Sequence, residues 1–345
     1  MNHGSDIRRR QLLAAALGLP LAGLAGGAFA QQQAWPNRPV RVVLGYPPGG
    51  AADGTARPIE PKLQEALGQP VLFDYRPGAG ATIAADFTAK AAADGYTLHF
   101  VDSGPMTILP NGKQLGYDPF ASFTPIGMVC TGGTLLVAHP SVEANTVQEL
   151  IAEARSKPGA LSYGTSGIGG AGHLAAELLQ EMAGIKMEHV PYKGGSQAAA
   201  DLIGGQVPLL FSSMATAIPH VQTGKMKAIA VTSLTRASAL PDVPTVAEQG
   251  LPGFEASVWF AMVGPANLPA EIVAKVNRAI NAALADPKVQ DSIRRQGYEP
   301  VSGPPDGLAA QIRADHEKWG KVIRDAKIVR ACEMPAKAWG RFPAT

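Results

Sequence analysis

Three times in this chain an apolar, strand-like run empties into a glycine-rich loop that opens a helix-like run. The loops read Tyr46-Pro47-Pro48-Gly49-Gly50-Ala51-Ala52-Asp53, Arg76-Pro77-Gly78-Ala79-Gly80-Ala81-Thr82 and Tyr163-Gly164-Thr165-Ser166-Gly167-Ile168-Gly169-Gly170. Strand–loop–helix cycles build parallel sheets covered by helices. Each loop also presents backbone N–H groups at the positive end of a helix, a seat suited to an anion. Taken singly, each is read equally well as an ordinary turn.

The cycles fall into two sets. Val40–Leu44 reads as a strand, and Ala56, Ile59, Leu63, Ala66 and Leu67 then recur at helical spacing until Gly68. Pro61 predicts a kink or a late helix start. Val71–Tyr75 is a second strand, Ile83, Phe87 and Ala91 mark a second helix, and 97–101 is a third strand. A similar order resumes after 135–139. Thr146-Val147-Gln148-Glu149 has capping-box spacing. Strands are expected at 161–163, 189–192, 207–211 and Lys227–Val231, with helices through Leu174, Leu178 and Met182 and over 196–203. After 257–263 the pattern turns helical, through Ile272, Val276, Ile280 and Leu284, then Ile312, Trp319 and Ile323. Two βα sets predict two α/β lobes joined by a double crossing, with 135–139 and 257–263 as the hinge segments.

The first thirty residues read as an export leader. Arg8-Arg9-Arg10 precedes a short apolar stretch, and Ala28-Phe29-Ala30 is a small-x-small cleavage site. Arg9-Arg10-Gln11-Leu12-Leu13 fits a twin-arginine signal and also a Sec leader. The leader holds three arginines and one aspartate, so 27 basic and 27 acidic residues remain after cleavage, and the formal +2 belongs to the leader. A neutral mature chain gives no footprint for nucleic acid or an anionic membrane. No cysteine follows the cleavage point, so no lipid anchor is expected there. Cys130 reads as a buried small hydrophobe, and its pairing with Cys332 is open.

Two catalytic alternatives arise. Gly167-Ile168-Gly169-Gly170-Ala171-Gly172 satisfies G-x-G-x-x-G, with Glu188 about 20 residues on, where a ribose-binding acid belongs in a nucleotide-dependent oxidoreductase. Against it, Thr165-Ser166 intervenes between strand and fingerprint, and export removes the chain from cytoplasmic cofactors. An exported serine hydrolase using Ser166 or Ser103 is the other alternative. There Ile168 stands where G-x-S-x-G needs its last glycine, and no acid is evident to orient His173. H-E-x-x-H, Walker A and C-x-x-C patterns are missing from the sequence. No catalytic residue, metal or cofactor is therefore expected. His173 reads as a first-turn helix residue or a cleft-lining one. Tyr192, before a fourth junction at Gly194-Gly195-Ser196, reads as core or cleft. Asp53 reads as a residue that caps a helix, fixes the first loop or holds a bridging water.

Taken in order, many short motifs resemble one known family over nearly the whole mature length. They include Trp35-Pro36, Pro39-Val40-Arg41, Pro47-Pro48-Gly49-Gly50 with Asp53 and Arg57, Arg76-Pro77-Gly78-Ala79-Gly80 and Asp94-Gly95-Tyr96-Thr97-Leu98. Tyr117-Asp118-Pro119, Tyr163-Gly164-Thr165-Ser166-Gly167, His173-Leu174, Val190-Pro191-Tyr192-Lys193-Gly194-Gly195, Gly204-Gly205-Gln206-Val207 and Leu240-Pro241-Asp242-Val243-Pro244-Thr245 complete the set. The chain resembles the Bug-type extracytoplasmic solute receptors of tripartite tricarboxylate transporters. The resemblance implies a two-lobed α/β periplasmic-binding-protein fold of the Venus-flytrap, type II-like kind, each lobe a mainly parallel sheet flanked by helices. It implies lobe 1 from 36–135 plus 262–328 and lobe 2 from 136–261, with 329–345 an extension of unassigned role. It implies a monomeric periplasmic receptor for a small carboxylate (a di- or tricarboxylate, an amino acid or an aromatic acid) that delivers its ligand to membrane transporter subunits. Carried over, the ligand site is Tyr46, Pro48, Gly49, Asp53, Gly80, Ala81, Thr82, Ser103, Thr165, Ser166, Gly167, His173 and Tyr192. Ala81 stands where the family often has Gly and is expected to trim the pocket. Tyr75 in place of a common Asn, and Ala93 in place of Pro, are expected to matter less for binding.

Overall fold

The computed structural model describes residues 35–325 except Lys193, so the leader, Cys332 and the 329–345 extension lie outside the described residues. The described residues from Arg38 onward form one compact unit. The first cycle gives β1 (Val40–Leu44), α1 (Ala51–Ala56), α2 (Glu60–Leu67), β2 (Val71–Tyr75), α3 (Thr82–Ala89) and β3 (Thr97–Asp102). The helix expected over 56–67 is broken at 57–59, and Pro61 sits in the first turn of α2, where its missing N–H costs nothing. The long β4 (Phe123–Ala138) follows.

The second set comprises α4 (Val147–Ser156), β5 (Ser162–Thr165), α5 (Ala171–Ala183), β6 (Glu188–Pro191), α6 (Gly195–Ile203), β7 (Leu209–Ser213), α7 (Met214–Gln222) and β8 (Lys227–Val231). The Thr146–Glu149 capping box forms at the start of α4. β9 (Ser257–Pro265), α8 (Ala270–Leu284), α9 (Pro287–Arg295), β10 (Glu299–Pro300) and α10 (Pro305–Asp325) complete the chain.

The strands run β2-β1-β3-β9-β4-β7-β5-β6, with β8 and β10 also on β4. Each outer triplet, β2-β1-β3 and β7-β5-β6, is parallel. Every pairing of β4 and β9 is antiparallel. The expected mainly parallel sheets are therefore parallel at their edges and antiparallel where the lobes meet. One strand makes that meeting. Through Gly133 β4 pairs β9, and from Thr134 it pairs β7 and β8. Segment 135–139, expected as a hinge, begins just past the point where the pairing changes.

Both faces of the second sheet are covered, as in a doubly wound lobe. Alternation along β4 sends Leu136 and Ala138 to a core with Tyr163, Leu174 and Phe211. It sends Leu135 and Val137 to another core with Ala198, Leu202 and Met214. α10 serves two cores: Leu308 and Ile312 pack with Val101 and Trp259, whereas Trp319, Val322 and Ile323 join the core of the second lobe. Among the described residues no helix is long and apolar enough to cross a membrane.

Candidate functional site

The order β2-β1-β3 means the chain leaves β1 one way and returns past it to β3. In open α/β sheets ligands bind outside the carboxyl ends of the strands at such a reversal. The first lobe offers the loop after β1, with Tyr46 to Gly50, and the residues after β3, Ser103 and Gly104. The order β6-β5-β7 repeats the reversal in the second lobe, offering the loop after β5, Thr165 to Gly170, and the residues after β7, Ser213 and Met214.

The loop after β1 faces the helices that follow β6 and β7. A cavity of about 400 Å³ is lined by Gly49 and Gly50 from the first lobe and by Ser196, Ala199, Thr216 and neighbours from α6 and α7. A Cβ on Gly80 would meet Leu109 Cδ1 at 2.8 Å, and one on Gly169 would meet Leu109 Cδ2 at 2.9 Å. The second and third glycine loops thus touch the two methyls of one leucine, which stands just after a π-helical turn at Gly104–Ile108. Such turns are frequent at functional sites.

The first loop is pinned by Asp53. Gly49 N–H donates to Asp53 Oδ2 at 2.9 Å, and Tyr75 Oη and Arg57 Nε donate to Oδ1 at 2.5 and 3.1 Å. Burial alone would raise this carboxyl, but the hydrogen bonds from Tyr75 and Gly49 and the Arg57 guanidinium outweigh it and hold it below the usual range. Asp53 is therefore engaged in fixing the loop. Tyr75, set aside by sequence reasoning, is part of that anchor.

The second loop is a left-handed turn. Gly78, Ala79, Gly80 and Ala81 have φ of 131°, 50°, 65° and 68°, and Ala81 N–H donates to Gly78 O at 3.0 Å. Two alanines in this region are costly, since their Cβ crowds the backbone. The Ala81 methyl is buried and faces Gly45, where a Cβ would lie 2.3 Å from it. Thr82 is buried, with its hydroxyl donating to Ala79 O at 2.9 Å. Pro48, Gly49 and Gly80 are exposed.

The third loop rests on a polar column. His189 lies between Tyr163 and His173, with ring centroids 5.0 and 4.1 Å away. His173 Nδ1 accepts the Gly169 N–H at 3.1 Å, which leaves its proton on Nε2, 3.6 Å from Glu177 Oε1. Thr165 Oγ1 bonds His189 Nε2 at 2.7 Å and accepts the Gly167 N–H at 3.2 Å. Burial pushes His173 down to about 4, and burial with the neighbouring His173 pushes His189 down to about 3. Both rings are neutral at pH 7, as His173 must be to accept the Gly169 N–H. His173 and Thr165 are buried supports, while Ser166 is exposed. Tyr192 packs on the core beside Gly164, and its hydroxyl bonds the Asp201 carboxylate.

The loop amides are thus less bare than the sequence suggests, because those of Gly49, Ala81, Gly167 and Gly169 donate within the protein. Sequence reasoning also missed Asp102, which accepts from Tyr46 Oη at 3.0 Å, and Thr216 in the cavity wall. The polar Asp102-Ser103 ending of an apolar run was the available signal for the first.

The catalytic alternatives find little footing. Glu188 pairs with Ser162 at the start of β5, so it sits at the end of the strands opposite the glycine loop. Among the described residues neither Ser103 nor Ser166 hydrogen-bonds a histidine, and no cluster of three His, Cys, Asp or Glu could hold a metal.

Comparison with known proteins agrees with this geometry. Residues 55–328 match the family described as "TctC: Tripartite tricarboxylate transporter family receptor". The chain is 35% identical over 326 residues to the UPF0065 protein of the tcbD–tcbE intergenic region of a Pseudomonas species, covering 94% of this chain and 96% of that one. It is 35% identical to Protein BugT of Bordetella pertussis, covering 91% and 97%. Among solved structures it is similar to R. palustris Rpa4515 with adipate, at TM-score 0.79 and 35% identity over 85% of this chain and 98% of that one. It is also similar to MatC from Rhodopseudomonas palustris with bound malate, at TM-score 0.76 and 30% identity over 84% and 100%. The matches span almost the full length of each relative, sequence and fold agree, and the chain belongs to the tripartite tricarboxylate transporter receptor family.

Proposed function

We propose that this protein is a periplasmic receptor that captures a small carboxylate between its lobes and delivers it to the membrane subunits of a tripartite transporter. The observation that carries the reading is the convergence of strand-end glycine loops from both lobes, with Gly80 after β2 and Gly169 after β5 on either side of Leu109. Solved relatives hold adipate and malate, both small dicarboxylates. The lobes are 36–135 with 262–328, and 136–261, the last turns of α10 being packed into the second. Pro48, Gly49, Gly80 and Ser166 line the cleft, Tyr46 and Ser103 form its floor, and Asp53, Ala81, Thr82, Thr165, Gly167, His173 and Tyr192 hold the loops in place. The leader directs export and is cleaved near Ala30, and the mature protein acts as a monomer.

The test is a thermal-shift screen of ligand-stripped protein against adipate, malate, succinate, citrate, glutamate, nicotinate and terephthalate. A ligand at 100 times its Kd stabilises a fold by about 2.7 kcal/mol. For a chain of this size that is a rise of roughly 4 °C. Silence across a broad carboxylate panel overturns the reading. Saturable NAD(H) binding that displaces no carboxylate would replace it with the oxidoreductase.

A further inference from the structure

Asp102 closes β3 beside the root of the first loop, and its carboxyl is poorly provided for. Tyr46 Oη donates to Oδ2 at 3.0 Å. Among the described residues Oδ1 is buried without a hydrogen-bond partner, and so is Oγ of the adjacent Ser103. The groups acting on this carboxyl are the Tyr46 hydroxyl and the amides of Asp102 and Gly104. Its charge bears in turn on Tyr46, Tyr117 and Tyr298, from three separate elements. No cation is in the set. Gly104 packs close against the pair, since a Cβ there would lie 3.2 Å from Oδ2 and 3.9 Å from Tyr46 Oη.

A buried carboxylate that has a phenol and two backbone amides but no cation beside it is costly as an anion. Protonated, it becomes a hydrogen-bond donor through the oxygen that lacks a partner. Burial already raises Asp102 to about 6, against the Tyr46 hydrogen bond and the nearby amides. It stands at the strand reversal of the first lobe, where a bound carboxylate would add a second negative charge. Two carboxyl groups sharing a dry site do not both stay ionised.

We propose that Asp102 is a proton-carrying ligand group: as the carboxylate enters, Asp102 Oδ1 takes one proton from solvent and donates that O–H toward the anion. One O–H bond forms, buffer supplies the proton, and no other bond breaks. The inference rests on the carboxylate reading above. Its consequence is linkage, because a site that must gain a proton to bind loses affinity as that proton becomes scarce.

The experiment is titration calorimetry of the ligand-stripped protein with adipate and malate between pH 6.5 and 8.5. This range lies above that in which the ligands themselves titrate. Each pH is run in phosphate and in Tris, whose ionisation enthalpies differ. The wild type should take up close to one proton near pH 8, with affinity falling by nearly tenfold per pH unit above 7. Asp102→Asn keeps an acceptor for Tyr46 and a donor that needs no proton, so it should bind with no uptake and a flat profile. Should that variant not fold, Tyr46→Phe removes an anion-favouring hydrogen bond and should move the fall in affinity to higher pH. Wild-type binding without proton uptake overturns the proposal, as does an unchanged pH profile in either variant. If neither acid binds and the wider screen is also silent, it is the carboxylate reading that has failed, and this inference falls with it.

Discussion

Gly45→Ala tests whether the roots of the first two loops are fitted to one another. Gly45 follows β1 directly, and a Cβ there would lie 2.3 Å from Ala81 Cβ, 2.9 Å from Ala81 Cα and 3.4 Å from Ala81 O. Carbon atoms rest about 3.5 to 4.0 Å apart, so the two backbones must separate by roughly an ångström. Overpacking of this kind costs about 1–3 kcal/mol. Ala81→Gly alone should be nearly neutral. It relieves about 1–2 kcal/mol of left-handed strain. It loses about 0.8 kcal/mol of methyl burial and about 0.5–1 kcal/mol to the looser unfolded chain. In the double variant the 2.3 Å clash disappears but the 2.9 Å approach to Cα remains, so about half the loss should return. That predicts a coupling of about 1 kcal/mol, within the range for touching residues. Urea denaturation of the four proteins measures it from midpoints at constant slope. A Gly45→Ala protein within about 0.5 kcal/mol of wild type, or strictly additive variants, would refute the reasoning.

Three further outcomes are expected. His173 is depressed from 6.5 to about 4, so the unfolded chain binds its proton first. Stability should then fall as pH drops from 6.5 toward 4, by about 3 kcal/mol from this group. His173→Gln should flatten that limb in urea midpoints taken from pH 7.5 to 4.5. Tyr75→Phe removes one donor from Asp53 and should cost about 1 kcal/mol, with faster hydrogen exchange at the Gly49 amide as the specific sign. Leu109→Ala empties the space between Gly80 and Gly169. It should cost about 2 kcal/mol and shift the thermal-shift profile toward bulkier acids, and an unchanged ligand ranking would argue against its place between the loops.

The parts of the fold legible in the sequence were those governed by local rules. β1, β2 and β8 fall where apolar runs predict them, the helix starts late with Pro61 in its first turn, and Thr146 with Glu149 forms the expected cap. The crossing was harder to see. In Thr131-Gly132-Gly133-Thr134 two adjacent glycines weaken the strand signal. The structure runs one strand through them. A Cβ on Gly132 would lie 2.8 Å from the Tyr298 ring, and one on Gly133 2.6 Å from Ser233 N, so these glycines admit neighbours whose approach no local pattern encodes. The loops were legible as loops, but the fate of their amides was not. Whether Gly49, Gly167 and Gly169 donate outward or inward depends on Asp53, Thr165 and His173 turning toward them. Asp102 was missed for a similar reason, since its partner Tyr46 is 56 residues away.

The shared strand β4 has a mechanical consequence. Two bodies joined by a slack tether can reorient without either sensing the other, but here one strand belongs to the ladders of both lobes. A change in the angle between the lobes would twist β4 at Gly132 and Gly133, the last residues paired to β9 before the partners change, and would load α10, which packs into both cores. Occupancy of the cleft should therefore be readable far from it, as a change in amide exchange along 131–134. A membrane partner that touches both lobes would then be weighing the twist of one strand, with no need to meet the ligand until the moment of transfer.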